Sequence, residues 1–260
     1  MLKKHRASLI FFALLAAGAL FAAQQTNALK VTRYTWESSR VPPGFDGYRI
    51  VQVSDLHCKR FGRGQKRLLQ RIRECNPDMI ALTGDILDRR TKNLEPAREL
   101  LAGIAGLAPM YYADGNHDPR SPVYEEFCAL LEEYGVTVLD GYATLEHGGD
   151  TMTIAGCDYW YPERLAAPAD LVLYHSPESF EQWSGHGLVL AGHMHGGQVA
   201  LPGGRAIVSP SGDLFPPYAG GFYERGGNTM VVSKGLGNSG IPFRLFARPE
   251  VVCVVLKSGE

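Results

Sequence analysis

Five times between Tyr48 and His195 a short apolar run gives way to a tight loop carrying aspartate, asparagine or histidine. The run 49–53 leads to Asp55 and His57, and 79–83 leads to Asp85. Next, 109–113 leads to Asn116 and His117, 171–174 to His175, and 188–191 to His193 and His195. Runs this short, bounded by turn formers, read as strands buried on both faces. Helical spacing fills the early gaps. Residues 65–75 put Leu68, Leu69 and Ile72 on one face, and Asn76-Pro77 ends the pattern. The stretch 95–101 is weaker, and 123–134 carries Phe127, Leu130 and Leu131 before a capping Gly135. Strand–helix alternation predicts an α/β fold with mainly parallel pairing. Further strands at 151–155, 230–232 and 251–256, with an edge strand at 29–35, call for two packed sheets with helices outside. Each ligand-bearing loop follows the C-terminal end of a strand, the edge where open α/β sheets form binding crevices. Residues remote in sequence therefore converge.

The loop residues form a chemically coherent set: Asp55-Leu56-His57, Gly84-Asp85, Gly115-Asn116-His117-Asp118, His175, and Gly192-His193-Met194-His195. Zinc, manganese and iron accept such mixtures of carboxylate, imidazole and amide oxygen. In an extended segment residues two apart share a face, so Asp55/His57 and His193/His195 would each act as a pincer unless a turn intervenes. One Gly-Asp alone is ordinarily a turn, and one histidine after a strand is ordinarily a satisfied polar group. Five such loops in order, each at a strand end, are not explained that way. His5, His147 and His186 fall outside the pattern and read as non-ligands.

These residues resemble the calcineurin-like metallophosphoesterases, whose blocks run D-x-H, G-D, G-N-H-D/E, H and G-H-x-H in that order. The resemblance covers roughly residues 46 to 257. It points to the membrane-associated bacterial branch typified by YkuE and YaeI, through Asp46–Gln52, Gly192–Gln198, Val232–Gly237 and Pro242–Glu250. It implies a four-layer α/β/β/α sandwich of two mixed sheets flanked by helices, holding two divalent ions (Mn2+, Zn2+ or Fe2+/Fe3+). Asp55, His57 and His195 would hold one ion, Asn116, His175 and His193 the other, and Asp85 would bridge. His117 would stay off the metals and face the phosphate, while a hydroxide between the ions attacks phosphorus. Two positions stand apart. Asp114 is a polar turn residue or an acceptor for a ligating histidine, and Cys58, beside the first pincer, reads as a bystander. The sequence 84–89 also resembles the protein serine/threonine phosphatases of this superfamily, but Arg90 replaces the glycine they carry there.

The N-terminus sets the location. Lys3, Lys4, His5 and Arg6 precede an unbroken apolar run from Ser8 to Ala23. That order marks an export or anchoring signal. The run is short against the ~20 residues of a spanning helix, yet no clean cleavage site follows it. An uncleaved anchor over residues 1–27 is the reading, ahead of a cleaved signal or a buried core helix, with the phosphoesterase domain at 28–260. The positive-inside tendency places that domain outside the cytoplasm. Five cysteines without a C-x-x-C pair argue against a disulfide scaffold. A formal net charge of −1 gives no basic field for nucleic acid, which opposes a nuclease.

The expected activity is hydrolysis of a phosphomonoester or phosphodiester at the membrane or cell wall. The alternatives are a hydrolase of lipid-linked nucleotide diphosphates and a non-catalytic metal-binding scaffold. The apolar stretch 209–223, with Phe215 and Tyr218, would either rim the site for an acyl chain or sugar or merely cover the second sheet.

Overall fold

The computed structural model describes residues 2–259, with backbone alone for residues 2–8 and 179. The N-terminal run forms a single helix, α1 (Leu2–Asn27), since it contains no proline and one glycine. Its segment Leu9–Asn27 is long and apolar enough to cross a membrane. Leu9, Phe12 and Leu20 stand exposed, so α1 is not a core helix. The side chains of Lys3, Lys4, His5 and Arg6, which bear on orientation, lie outside the described residues.

The chain continues through β1 (Lys30–Ser38), β2 (Arg49–Val53), α2 (Lys66–Arg73), β3 (Met79–Thr83), α3 (Glu95–Ile104), β4 (Met110–Ala113) and α4 (Tyr124–Glu133). Then come β5 (Val136–Val138), β6 (Gly141–His147), β7 (Asp150–Gly156), β8 (Leu171–Leu173), β9 (Leu188–Ala191), β10 (Gly221–Arg225), β11 (Asn228–Val232) and β12 (Glu250–Ser258). Two six-stranded sheets result, ordered β1-β12-β2-β3-β4-β5 and β10-β11-β9-β8-β7-β6. Both are mixed. In the first, β12 runs antiparallel to β2 while β2 through β5 are parallel. In the second, β7, β8, β9 and β11 are parallel and the two edge strands antiparallel.

Alternating side chains of these strands feed two different cores, which is why their sequences are apolar throughout. In β3, Met79 and Ala81 face the space between the sheets, while Ile80 and Leu82 face the helices. The helical side takes Leu68 and Ile72 of α2, Leu100, Leu101 and Ile104 of α3, and Phe127 and Leu131 of α4. Burying each such side chain contributes about 1.5–3 kcal/mol. The outer face of the second sheet is covered by a 3-10 segment, Pro177–Trp183, through Phe180 and Trp183.

One polar residue stitches the sheets at the functional end. Gln52 is buried between them and donates to Thr83 Oγ1 at 2.9 Å and to the Ala191 carbonyl of the second sheet at 2.8 Å. The strand ends carrying Asp55, Asp85 and His193 are thereby held at one height.

Candidate metal centre

The five loops meet where the two sheets adjoin. The pairing of β2 with β3 runs on past the strands: Asp55 N–H donates to the Gly84 carbonyl and His57 N–H to that of Asp85. The loops are not extended, however. Asp55, His57, Asp85, His193 and His195 all have φ between 46° and 69°. Each left-handed non-glycine residue costs on the order of 1–3 kcal/mol, so the surrounding fold imposes the shape. The turn that would defeat a simple pincer is present: Asp55 and His57 still converge on one donor group, whereas His193 and His195 fall in different ones.

Two triads form. Donor atoms of Asp55, His57 and His195 lie within 4.8 Å of one another, as do those of Asp85, His175 and His193. Asp85 Oδ2 faces both, 3.6 Å from His57 Nε2 and 3.3 Å from His175 Nε2. Asp55 Oδ1 lies 3.3 Å from His195 Nε2. Two glycines let the loops approach this closely. A Cβ on Gly115 would strike the Asp85 carboxylate, and one on Gly192 would strike Ser54 and Asp55.

This donor set suits cations. His57 Nε2 and His195 Nε2 face each other at 3.1 Å. The buried atoms Asn116 Oδ1 and His175 Nε2 have no hydrogen-bond partner among the described residues. Buried polar atoms left so are costly, and a divalent ion held by Asp85, His175 and His193 would satisfy His175 Nε2. Burial pushes the imidazoles of His57 and His193 down to about 4 and about 3, and that of His195 well below its ordinary value. Neutral rings offer a lone pair. Burial also pulls His175 down, but Asp85 and Asp55 outweigh it and hold it up at about 10. An ion there would displace that proton. His175 Nδ1 lies 2.7 Å from the Thr83 carbonyl, so the hydrogen sits on Nδ1 and Nε2 points at the carboxylates. Burial alone would raise the Asp85 carboxyl; His175, followed by His57 and His117, holds it well below its usual range.

His117 stands at the mouth. Its Nδ1 is 3.3 Å from Asp88 Oδ2, and its ring packs edge-on against His57 at 4.9 Å. Its backbone N–H donates to Asp85 Oδ1 at 2.8 Å. Asp118, fully buried, accepts backbone N–H groups from Asp85 (2.6 Å), Leu87 (2.8 Å) and Gly115 (3.0 Å), joining the second and third loops. Asp114 instead accepts from the hydroxyls of Tyr112 (2.6 Å) and Tyr124 (2.8 Å). Its partners are tyrosines, not a ligating histidine. Cys58 receives the Thr91 hydroxyl, packs against the hydrophobic core and belongs to none of the donor groups. His147 packs on Phe45 and Tyr48, and His186 on Trp183, both remote from the triads.

Several residues here escaped the sequence reading. Arg244 is fully buried, with Nη2 3.2 Å from His195 Nδ1 and its other nitrogens on backbone carbonyls, among them those of Lys234 and Ala247. Asp88 buttresses His117. A cleft of about 540 Å3 above the triads is walled by Arg89, Arg90, Arg120, Tyr159 and Trp160, with the Arg120 guanidinium 4.7 Å from the Trp160 ring. The apolar stretch 209–223 reaches the cleft only through Pro210 and Ser211. Tyr218 packs on Phe180 and Tyr223 over the second sheet, and Phe215 sits against Arg205. The expected aromatic rim is thus supplied by Tyr159 and Trp160 instead.

A family model for calcineurin-like phosphoesterases matches residues 48–197, more than half of the chain and all five loops. The chain belongs to this family. It is a phosphoric ester hydrolase that works with divalent metal ions. Among curated proteins it is 32% identical to the metallophosphoesterase YkuE of Bacillus subtilis, over 95% of both chains. It is 31% identical to the phosphodiesterase YaeI of Escherichia coli, over 80% of this chain and 82% of that one. A transmembrane protein with metallophosphoesterase domain from Danio rerio is 30% identical over 96% of this chain and 62% of its own length.

Proposed function

We propose that the protein is a dinuclear phosphoesterase, anchored by residues 1–27, whose domain at 28–260 cleaves phosphate esters at the membrane or cell wall. The observation that carries the dinuclear reading is Asp85 Oδ2, which one backbone turn aims at both triads. Asp55, His57 and His195 would hold one divalent ion, Asn116, His175 and His193 the other, and Asp85 would serve both. Ions of manganese, zinc or iron held there would supply Lewis acidity at the phosphoryl group and lower the pKa of bound water toward neutral.

The chain's own residues do the rest. His117 reaches the substrate from the open side, keeps its Nδ1 on Asp88, and gives a proton to the leaving oxygen. Arg89, Arg90 and Arg120 have no carboxylate partner among the described residues and line the cleft, so they suit an anionic group beside the scissile phosphate. Tyr159 and Trp160 offer apolar faces to the leaving group.

Retention of every expected ligand and of His117 opposes the scaffold alternative. The three arginines beside an exposed tryptophan favour a second reading: hydrolysis of a lipid-linked nucleotide diphosphate, with the second phosphate on arginine and the base on Trp160. The basic residues ahead of the apolar run support an outer-face location for the domain.

Turnover by the purified full chain, loaded in turn with each metal, tests the substrate class. Esters from membrane lipid or wall polymer should be cleaved faster than soluble nucleotides. A soluble nucleotide turned over best would refute it.

A further inference from the structure

A second cleft, of about 330 Å3, opens at the foot of α1 and shares no lining residue with the cleft over the metal centre. Lys30, Lys234, Arg248, Gln25 and Phe246 line it. Three cations there face one carboxylate. Glu250 is buried and fully engaged: Oε2 lies 3.0 Å from Lys30 Nζ and accepts the Thr32 hydroxyl, and Oε1 accepts the Lys234 N–H at 2.9 Å. Lys234 Nζ has no hydrogen bond or ion pair among the described residues. Among the described residues Arg248 uses only Nε, donating to the Ala28 carbonyl at 2.9 Å, which leaves both terminal nitrogens for a ligand.

The depth of this cleft follows from α1. Phe246 packs its ring on Phe21 at 5.6 Å, inside the apolar stretch. Gln24 and Gln25 end that stretch. At a rise of 1.5 Å per residue, Gln25 lies about 6 Å beyond Phe21 along the axis. With α1 in a bilayer, Phe246 stands among acyl chains and the three cations at headgroup level. No linker intervenes, since Lys59 Nζ donates to the Thr26 carbonyl at 2.7 Å and the Arg244 N–H to Thr26 Oγ1 at 2.9 Å.

We propose that this cleft binds the headgroup of an anionic phospholipid, at a site separate from the substrate. Arg248 and Lys234 take the phosphate oxygens through charge-assisted hydrogen bonds, and Phe246 lies along the acyl chain. A zwitterionic headgroup brings its own cation against Lys30 and is disfavoured. The inference goes beyond the phosphoesterase reading. It requires α1 in the bilayer but no metal.

The test uses the full chain in nanodiscs of equal phosphatidylglycerol and phosphatidylcholine, with retained lipid identified by native mass spectrometry. Wild type should retain phosphatidylglycerol about fivefold or more over phosphatidylcholine. Lys234→Gln and Arg248→Gln should each reduce that ratio about fivefold, the worth of one basic residue at a membrane surface. Lys66→Gln, on α2, should leave it unchanged. Equal retention of the two lipids, or a ratio unmoved in Lys234→Gln, overturns the proposal. Displacement of the lipid by millimolar glycerol 3-phosphate also overturns it, since the site would then belong to a soluble anion.

Discussion

Gly115→Ala should disable the enzyme without replacing a candidate ligand. The added methyl would sit 2.8 Å from Asp85 Cγ and closer still to Oδ1. Ordinary contacts between carbons are ~3.5–4.0 Å, and the methyl also meets the Asp85 backbone nitrogen, so the Asp85 loop and its carboxylate must retreat by about 1 Å. A displacement of that size at a reacting centre costs roughly 100-fold in rate. Overpacking of the buried site adds about 1–3 kcal/mol of instability, a fall of roughly 3–10 °C in Tm for a chain of this size. The assay is kcat/KM on bis-p-nitrophenyl phosphate with thermal unfolding of the same preparation. Gly106→Ala is the control. Gly106 has φ +75° and no atom within 4 Å of the added methyl, so it carries backbone strain with no effect on the site. It should lose stability and keep its turnover. If Gly115→Ala retains turnover within twofold, or Gly106→Ala loses as much, the steric argument fails.

His117→Ala should keep its metal content yet lose roughly 100- to 10,000-fold in turnover, the range for a general acid. The loss should shrink for esters with good leaving groups, and metal loss in that variant would remove the role. Alanine at Arg89 and Arg120 together should raise KM for substrates with a second anionic group while leaving p-nitrophenyl phosphate nearly unaffected. Equal losses on both would assign the arginines to structure. Protease added to intact spheroplasts should digest the domain at 28–260, and full protection would reverse the proposed orientation.

The central strands were legible because burial on both faces leaves short unbroken apolar runs, as in 79–83 and 188–191. β5, β6 and β10 were not. All three lie at sheet edges and pair on one side; most side chains of β5 and β6 are exposed, and those of β10 are half-buried or exposed. The loops were legible because their residue types and order admit few chemistries. Their backbone was not, since left-handed aspartate and histidine carry no local signal comparable to glycine. Arg244, and the loop-joining role of Asp118, escaped for a related reason. Each acts through backbone groups brought near by folding, and neither spacing nor residue type announces that. Tyr159 and Trp160 lie in a loop between β7 and β8 without periodicity, so only the fold shows that they wall the cleft.

Metal stoichiometry of the wild type and of Asp85→Asn, measured by elemental analysis alongside turnover, tests the dinuclear centre most directly. The wild-type chain should bind two divalent ions, lose activity on chelation and recover it on reloading. Asp85→Asn should weaken both ions together, because one oxygen faces both triads. A variant that retained two ions and near-normal turnover, or a wild type fully active with a single ion, would contradict the account.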